Sequence, residues 1–312
     1  MRLVFLGTPS FAVPTLEAIA RAGHEVCTVV SQPDRPSGRS QATIASPVKQ
    51  AALQLGIPVF QPERIRSAEA KSNLAALGAE AMVVVGYGQI IPQAVIDLAP
   101  RGILNVHASL LPKYRGAAPI QWAIANGETR TGVTTMQINA GLDTGDILLQ
   151  AETAIGPEET AVELSERLAP LGADLLVETL AGLARGAVQP RRQDVALATY
   201  APILTKEDGK IDWNAPASRV HNQIRGLLPW PGAYTKFRGQ SLHIWKARAA
   251  SETTTLAPGQ ILPGTPVRVA AGGGSVLELV EIQLEGRKRM PAEVFARGQR
   301  LTENDLLGEA RT

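Results

Sequence analysis

One cysteine stands in 312 residues, so the chain can form no internal disulfide and has no cluster of thiolates to hold zinc or iron–sulfur. Cys27 lies in the apolar run Val26-Cys27-Thr28-Val29-Val30, where it reads as a small buried hydrophobe. Such sparing use of sulfur fits a reducing compartment, and the cytoplasm is the expected location. Aromatic residues make up only 4% of the chain, so its packing must rest on Ala, Leu, Val and Ile. No stretch approaches the roughly 20 apolar residues that span a bilayer. The opening run from Met1 stops at Gly7-Thr8-Pro9, short of the roughly 7–15 apolar residues of a secretory leader. No membrane partner is expected. The glycine fingerprint of a dinucleotide fold is missing too: Pro9 removes a backbone donor where a phosphate would need one, which speaks against a nicotinamide cofactor.

What remains is a chain that is 45% hydrophobic and 19% charged, able to bury a sizeable core and long enough for two domains. The first two-thirds alternate short Val/Ile/Leu runs (Leu3–Gly7, Glu25–Gln32, Ala81–Gly86, Gly102–His107, Val133–Ile138) with helical stretches (Ser10–Ala22, Pro47–Leu55, Ser67–Leu77, Pro92–Leu98, Ala118–Asn126). That alternation predicts an α/β fold with a mostly parallel sheet and ligands outside the carboxyl ends of its strands. A strand over Asp146–Ile155 and a long helix over Thr160–Arg185 follow. The stretch 187–205 has few apolar periods and reads as a linker. From residue 206 the texture changes to short strands separated by Gly and Pro, which predicts a small β-barrel over 206–312, preceded by a helix near Ala217–Gly226. The expected division is 1–186, a linker over 187–205, and 206–312. Residues 205–312 hold 15 Lys+Arg against 11 Asp+Glu, while 1–204 hold 16 against 18; the basic rear suits a polyanion or a solvated surface.

The most informative residues are Asn105-Val106-His107 at the end of a predicted strand and Asp143 inside Gly141-Leu142-Asp143-Thr144-Gly145-Asp146. Residues i and i+2 of a strand face the same way, so Asn105 and His107 are expected to share a cleft. An amide donor, an imidazole and a carboxylate suit acyl transfer to an amine: Asn105 can hold a developing oxyanion, His107 can move protons, and Asp143 can orient and charge the imidazole. No metal is required. An ordinary turn is the plain alternative for Asp143, and a self-satisfied strand end for the Asn-His pair. The long loop Ser109-Leu110-Leu111-Pro112-Lys113-Tyr114-Arg115-Gly116 favours the functional reading, because ordered loops at strand ends usually bind. Tyr87, between Gly86 and Gly88 on the same edge, is a candidate wall for a flat ring. The turn-rich excursion Gln32-Pro33-Asp34-Arg35-Pro36-Ser37-Gly38-Arg39 presents Arg39 either to solvent or to a phosphate.

With these residues in place the chain resembles the methionyl-tRNA formyltransferases over essentially its whole length. The shared features are Asn-x-His, the Ser-Leu-Leu-Pro loop continuing as Arg-Gly-Ala-Ala-Pro-Ile, Gly-Leu-Asp-Thr-Gly-Asp, the loop ending at Arg39, Ile211-Asp212-Trp213 and Pro229-Trp230-Pro231-Gly232-Ala233. The resemblance implies a Rossmann-like formyltransferase domain followed by an OB-like barrel that helps hold tRNA. It implies 10-formyltetrahydrofolate as formyl donor and methionyl initiator tRNA as acceptor. Its catalytic set falls on Asn105, His107 and Asp143, its folate loop on Ser109, Leu110, Leu111 and Pro112, and its tRNA contact on Arg39. A monomer is expected. One departure is the segment after Arg39, which reads Ser40-Gln41-Ala42-Thr43-Ile44-Ala45 where well-known members carry a glycine and two basic residues. Two rivals remain: the same chemistry on a nucleotide-linked amino sugar, which the Gln32–Arg39 loop speaks against, and a silent folate- or RNA-binding module, which would have no use for a proton-transfer pair.

Overall fold

Runs such as Leu3-Val4-Phe5-Leu6 and Ala81–Val85, apolar at every position, are the material of strands buried on both faces. The computed structural model, which describes residues 1–37, 42–302 and 305–308, places them at the centre of a sheet. In chain order the first elements are β1 (Arg2–Gly7), α1 (Val13–Arg21), β2 (Glu25–Val30), α2 (Pro47–Gln54), β3 (Val59–Phe60), α3 (Ala68–Ala76), β4 (Ala81–Val85), α4 (Gln93–Ile96) and β5 (Ile103–His107). Then come α5 (Pro119–Ala125), β6 (Arg130–Gln137), β7 (Ile147–Ala154), α6 (Ala161–Ala184) and α7 (Ala217–Gly226). The last are β8 (Ala233–Phe237), β9 (Gln240–Thr253), β10 (Ile261–Leu262), β11 (Arg268–Ala270), β12 (Ser275–Leu284), β13 (Met290–Pro291) and α8 (Ala292–Gln299).

The chain divides into two compact units that interleave in sequence: Met1–Gly116, Arg130–Ala154 and Ser165–Tyr200 form the first, while Ala117–Thr129, Ile155–Leu164 and Ala201–Thr312 form the second. In the first unit the sheet order is β7-β6-β5-β4-β1-β2-β3. The five strands from β5 to β3 are parallel; β6 runs antiparallel to β5, and β7 antiparallel to β6. Leu3, Phe5, Leu104 and Val106 meet Leu16, Ile19, Leu176 and Leu180 in one core layer. Val4, Leu6, Val84 and Ile103 meet Ile65, Leu74 and Val95 in the other. The mostly parallel α/β sheet expected from the alternation is borne out. Strand order reverses between β1 and β4, and the crevice outside their carboxyl ends is where such sheets take ligands. Gly86, just past β4, has φ +58°, and a Cβ there would lie 2.8 Å from Pro9, so only glycine lets the two strand ends close on each other.

Part of the stretch expected as a linker belongs to the first unit. Arg191 pairs through its backbone with Ile147 of β7, with both N–H···O distances at 2.8 Å. Val188 packs on the first unit's core, but most of the residues from 189 to 200 are exposed and tied by hydrogen bonds, which is why the composition resembles that of a connector.

In the second unit β8-β9-β12-β11-β10 form a curled antiparallel sheet, with β13 on β12. The inward side chains Phe237, Leu242, Ile244, Val269, Leu277 and Ile282 join Val220 and Ile224 of α7 and Phe295 of α8 in one core. Residues 305–308 join the sheet's two edges: Leu307 bridges Phe237 of β8, and Leu306 bridges Gln260 beside β10. This closure makes the expected small barrel and removes its open edges. Helix α5 packs on α7, where Trp122 lies against Ala118, Leu204 and Leu227. Among the described residues no helix is long and apolar enough to cross a membrane.

Candidate active site

The register of β5 puts Leu104 and Val106 into one core layer, so Asn105 and His107 face the other side. Both are buried, at 9% and 6% exposure. The Asn105 carboxamide has no hydrogen-bond partner among the described residues. The imidazole is fixed: its Nε2 lies 2.9 Å from the carbonyl oxygen of Tyr114. A carbonyl only accepts, so Nε2 carries a proton. Its Nδ1 lies 3.7 Å from Asp143 Oδ2, close enough for charge to act and too far for a hydrogen bond.

Strand β6 runs antiparallel to β5, with Gln137 opposite Leu104 and Thr134 opposite His107. Its carboxyl end therefore lies beside the start of β5, about three strand residues or roughly 10 Å from the imidazole. The loop 138–146 returns over that distance to bring Asp143 to His107. Gly145 makes the return possible, because a Cβ there would stand 1.7 Å from the Gln137 carbonyl oxygen. Asp143 has φ 49° and Tyr114 φ 60°, so both residues that touch the imidazole sit in the left-handed region. Non-glycine residues hold that conformation only where surrounding contacts impose it. For Asp143 those contacts are visible. The Gly116 N–H donates to Oδ2 at 2.8 Å, and Gln193 Nε2 donates to the carbonyls of Asp143 and Gly145, each at 2.8 Å. Gln193 Oε1 in turn accepts from Nε and Nη2 of buried Arg115 at 3.0 and 2.7 Å.

The loop after His107 is riveted from below. Thr134, fully buried, donates to the Ser109 carbonyl at 2.6 Å and accepts from the Leu111 N–H at 3.1 Å. Gln150, opposite Thr134 on β7, donates to the Leu111 carbonyl at 2.9 Å. Ser109 is buried and its hydroxyl donates to the Lys113 carbonyl; Leu111 packs on Met136 and Ile147; Leu110 and Pro112 are half-buried. Thus Asn105, His107, Asp143 and the 109–112 loop form one neighbourhood. Tyr87 is placed differently from the expected pocket wall. Its ring is 1% exposed among Leu6, Ile65 and Val95, and its carbonyl accepts from Thr8 Oγ1 and Gln32 Nε2, each at 3.1 Å. Its hydroxyl is buried without a partner among the described residues, and burial pushes its pKa up to about 12. Arg39 lies outside the described residues. The loop's base is anchored, because hydrogen bonds from Lys49 and Gln61 hold the Asp34 carboxyl below the usual carboxylate range.

The residues that sequence reasoning missed are Gln193, Arg115, Thr134 and Gln150. Arg115 stood in the sequence only as one member of the loop, and Gln150 left a trace as a polar position after Ile147-Leu148-Leu149; Thr134, in a strand with two other threonines, and Gln193 left none.

The sequence matches the Formyl transferase family over residues 1–180 and the Formyl transferase, C-terminal domain family over 203–300. Methionyl-tRNA formyltransferase of Solibacter usitatus is 67% identical over 309 residues, covering 99% of both chains. The protein of the same name from Koribacter versatilis is 58% identical over 310 residues, again covering 99% of each. The chain belongs to the methionyl-tRNA formyltransferases. Solved structures share the fold at lower identity. An N-formyltransferase from Helicobacter canadensis, in complex with folinic acid and dTDP-3-aminofucose, has TM-score 0.66 at 20% identity, covering 89% of this chain and 98% of that one. Glycinamide ribonucleotide transformylase 1 from Symbiobacterium toebii has TM-score 0.51 at 24% identity, covering 62% and 94%. For a methionyl-tRNA formyltransferase, then, the arrangement offers one uncommitted amide and one imidazole facing a carboxylate.

Proposed function

We propose that this protein transfers the formyl group of 10-formyltetrahydrofolate to the α-amino group of methionyl initiator tRNA, in the cytoplasm and as a monomer whose single chain supplies every catalytic group. The observation that carries the reading is the buried Asn105 carboxamide, without a partner among the described residues, beside the His107–Asp143 pair. The amide is free to donate to a ligand oxygen on which charge develops.

The folate supplies an acyl carbon already activated on nitrogen. Asn105 donates an N–H to the formyl oxygen as the amine attacks and charge develops there; a donor of this kind is typically worth roughly 2.7–4 kcal/mol. His107 keeps the Nε2 proton on Tyr114 and works through Nδ1, the only ring nitrogen free to exchange a proton. Asp143 stands across from Nδ1 and takes up the proton lost by the amine; as the bond between the formyl carbon and N10 breaks, that proton is returned to N10 of the departing tetrahydrofolate. The 3.7 Å gap leaves Nδ1 able to reach a substrate atom, and such contacts tighten when substrates bind. The 109–112 loop, held by Thr134 and Gln150, is the folate rest. Arg39 meets a tRNA phosphate.

The test supplies 10-formyltetrahydrofolate with methionyl initiator tRNA or with a nucleotide-linked amino sugar. Formylation of the tRNA supports the assignment; formylation of the sugar alone overturns it. Affinity for tRNA should also fall as salt rises, because phosphate contacts release counterions, and a flat salt response would argue against an RNA substrate.

A further inference from the structure

The outward face of the barrel carries a row of rings in a chain that is only 4% aromatic. Other large rings of this unit, Trp213, Phe237 and Phe295, are buried in its core. On β9 the pattern alternates: Leu242 and Ile244 point inward, Ser241 and His243 outward. Beyond Ile244 the register slips. Ile244 pairs with Ile282 and Lys246 with Glu281, so Trp245 is the extra residue of a bulge. Bulges re-aim side chains and cluster near functional sites. This one turns Trp245 onto the face of His243, the ring centroids 6.1 Å apart and the planes 25° apart. Tyr234, opposite His243 on β8, extends the row at 5.7 Å. The Arg289 guanidinium carbon lies 4.9 Å from the Trp245 ring centroid, and Trp245 Nε1 donates to Gln283 at 3.1 Å.

The rings border a cleft of about 440 Å³ whose walls include Lys206, Lys236 and Gln283, with Glu285 as its carboxylate. Burial and the charge of Lys206 hold the pKa of His243 below its ordinary value, so its ring is neutral near pH 7 and repels no cation beside it. Flat faces in series with ammonium groups at the margin match the two surfaces of a single-stranded nucleotide, its base and its phosphate. Stacking on such rings tolerates any base, because every base has a π-face.

We propose that the Tyr234–His243–Trp245 face binds unpaired nucleotides of the tRNA substrate, the bases stacking on Trp245 and His243 and the backbone running past Lys206 and Lys236. This rests on the tRNA reading above.

The test uses the full chain and its Trp245→Ala and Trp245→Phe variants. Trp245→Ala is expected to weaken initiator-tRNA binding about 5- to 150-fold, the range for loss of one stacked base, with turnover at saturating tRNA unchanged. Trp245→Phe, which keeps a ring, should recover most of the affinity. Single-stranded rA6 should quench the tryptophan fluorescence of the parent and not the residual fluorescence of Trp245→Phe, and a 12-base-pair RNA duplex should quench neither. Binding within twofold of the parent for Trp245→Ala, at an unchanged thermal midpoint, overturns the proposal. So does a parent that formylates tRNA but shows no quenching by rA6. If the parent formylates no tRNA, the functional assignment fails, and rA6 still reads the stacking face by itself.

Discussion

The Gln193 side chain donates to the Asp143 backbone carbonyl at 2.8 Å, and a second bond of the same length to Gly145 makes it a clamp across the loop that presents the carboxylate. Asp143 holds φ 49° under that clamp. Removing it should let the loop relax toward an unstrained backbone and draw the carboxylate away from His107. Gln193→Ala is expected to lower turnover on the order of 10- to 100-fold, the cost of a misplacement near 1 Å, while the KM for folate changes little. Gln193→Glu keeps the acceptor for Arg115 and loses the donors, so it should behave like Ala. Steady-state kinetics decide the matter, and parental turnover in both variants would remove Gln193 from the site.

Asn105→Ala should lower turnover about 100- to 1,000-fold, as loss of one oxyanion donor does. Folate affinity, measured by fluorescence titration, should remain near parental because the amide acts on charge that develops only during reaction. A single-turnover rate close to the parent's would end the oxyanion role.

Thr134→Val keeps the shape of a fully buried side chain and strands two backbone groups, the Ser109 carbonyl and the Leu111 N–H. Leaving such groups unpaired costs about 1–3 kcal/mol each where water cannot reach them. Chemical denaturation should show that loss, and the KM for folate should rise as the 109–112 loop loosens. Unchanged stability together with an unchanged KM would show that the loop does not depend on this hydroxyl.

Asp305 links acidity to the barrel's closure. Burial opposes its ionisation, but the Thr302 N–H and a two-pronged contact from Arg238, at 2.8 and 3.0 Å, overcome that and hold its pKa below the ordinary aspartate value. A carboxyl depressed in the folded state stabilises fully above its unfolded pKa, about 3.9, and loses that contribution as pH falls through the folded value. The thermal midpoint should therefore drop on acidification below about pH 4, and Asp305→Asn should be less stable at neutral pH with a flatter acid limb. An acid limb identical to the parent's would assign the pH dependence to other carboxylates.

Much of this was written in local pattern. The parallel strands were legible because Leu3–Leu6 and Ala81–Val85 are apolar at every position, and the Asn105–His107 pair because strand geometry fixes i and i+2 on one face. The direction of β6 was not, since an antiparallel neighbour has the same composition as a parallel one; its true direction is what forces the 138–146 loop to double back. Gln193 and Arg191 were hidden because amide and backbone hydrogen bonds between distant segments leave no periodicity. Tyr87 misled for a related reason: two flanking glycines signal a turn but not which way the ring swings, and here it goes into the core. The barrel's closure by 305–308 likewise pairs residues far apart in sequence, Phe237 with Leu307 and Gln260 with Leu306.

The interleaving of the two units has a practical consequence for dissecting the enzyme. Ala117–Thr129 and Ile155–Leu164 fold with the later residues although they interrupt the earlier ones. A gene fragment stopped near residue 200 would retain Trp122 and Ala118 but lack Leu204 and Leu227, which cover them, and would present a sticky surface in place of a finished one. A fragment begun there would lack the helix on which α7 rests. Neither half can be excised with one pair of scissors, and a transplant of the barrel onto another scaffold must carry both upstream excursions along with it.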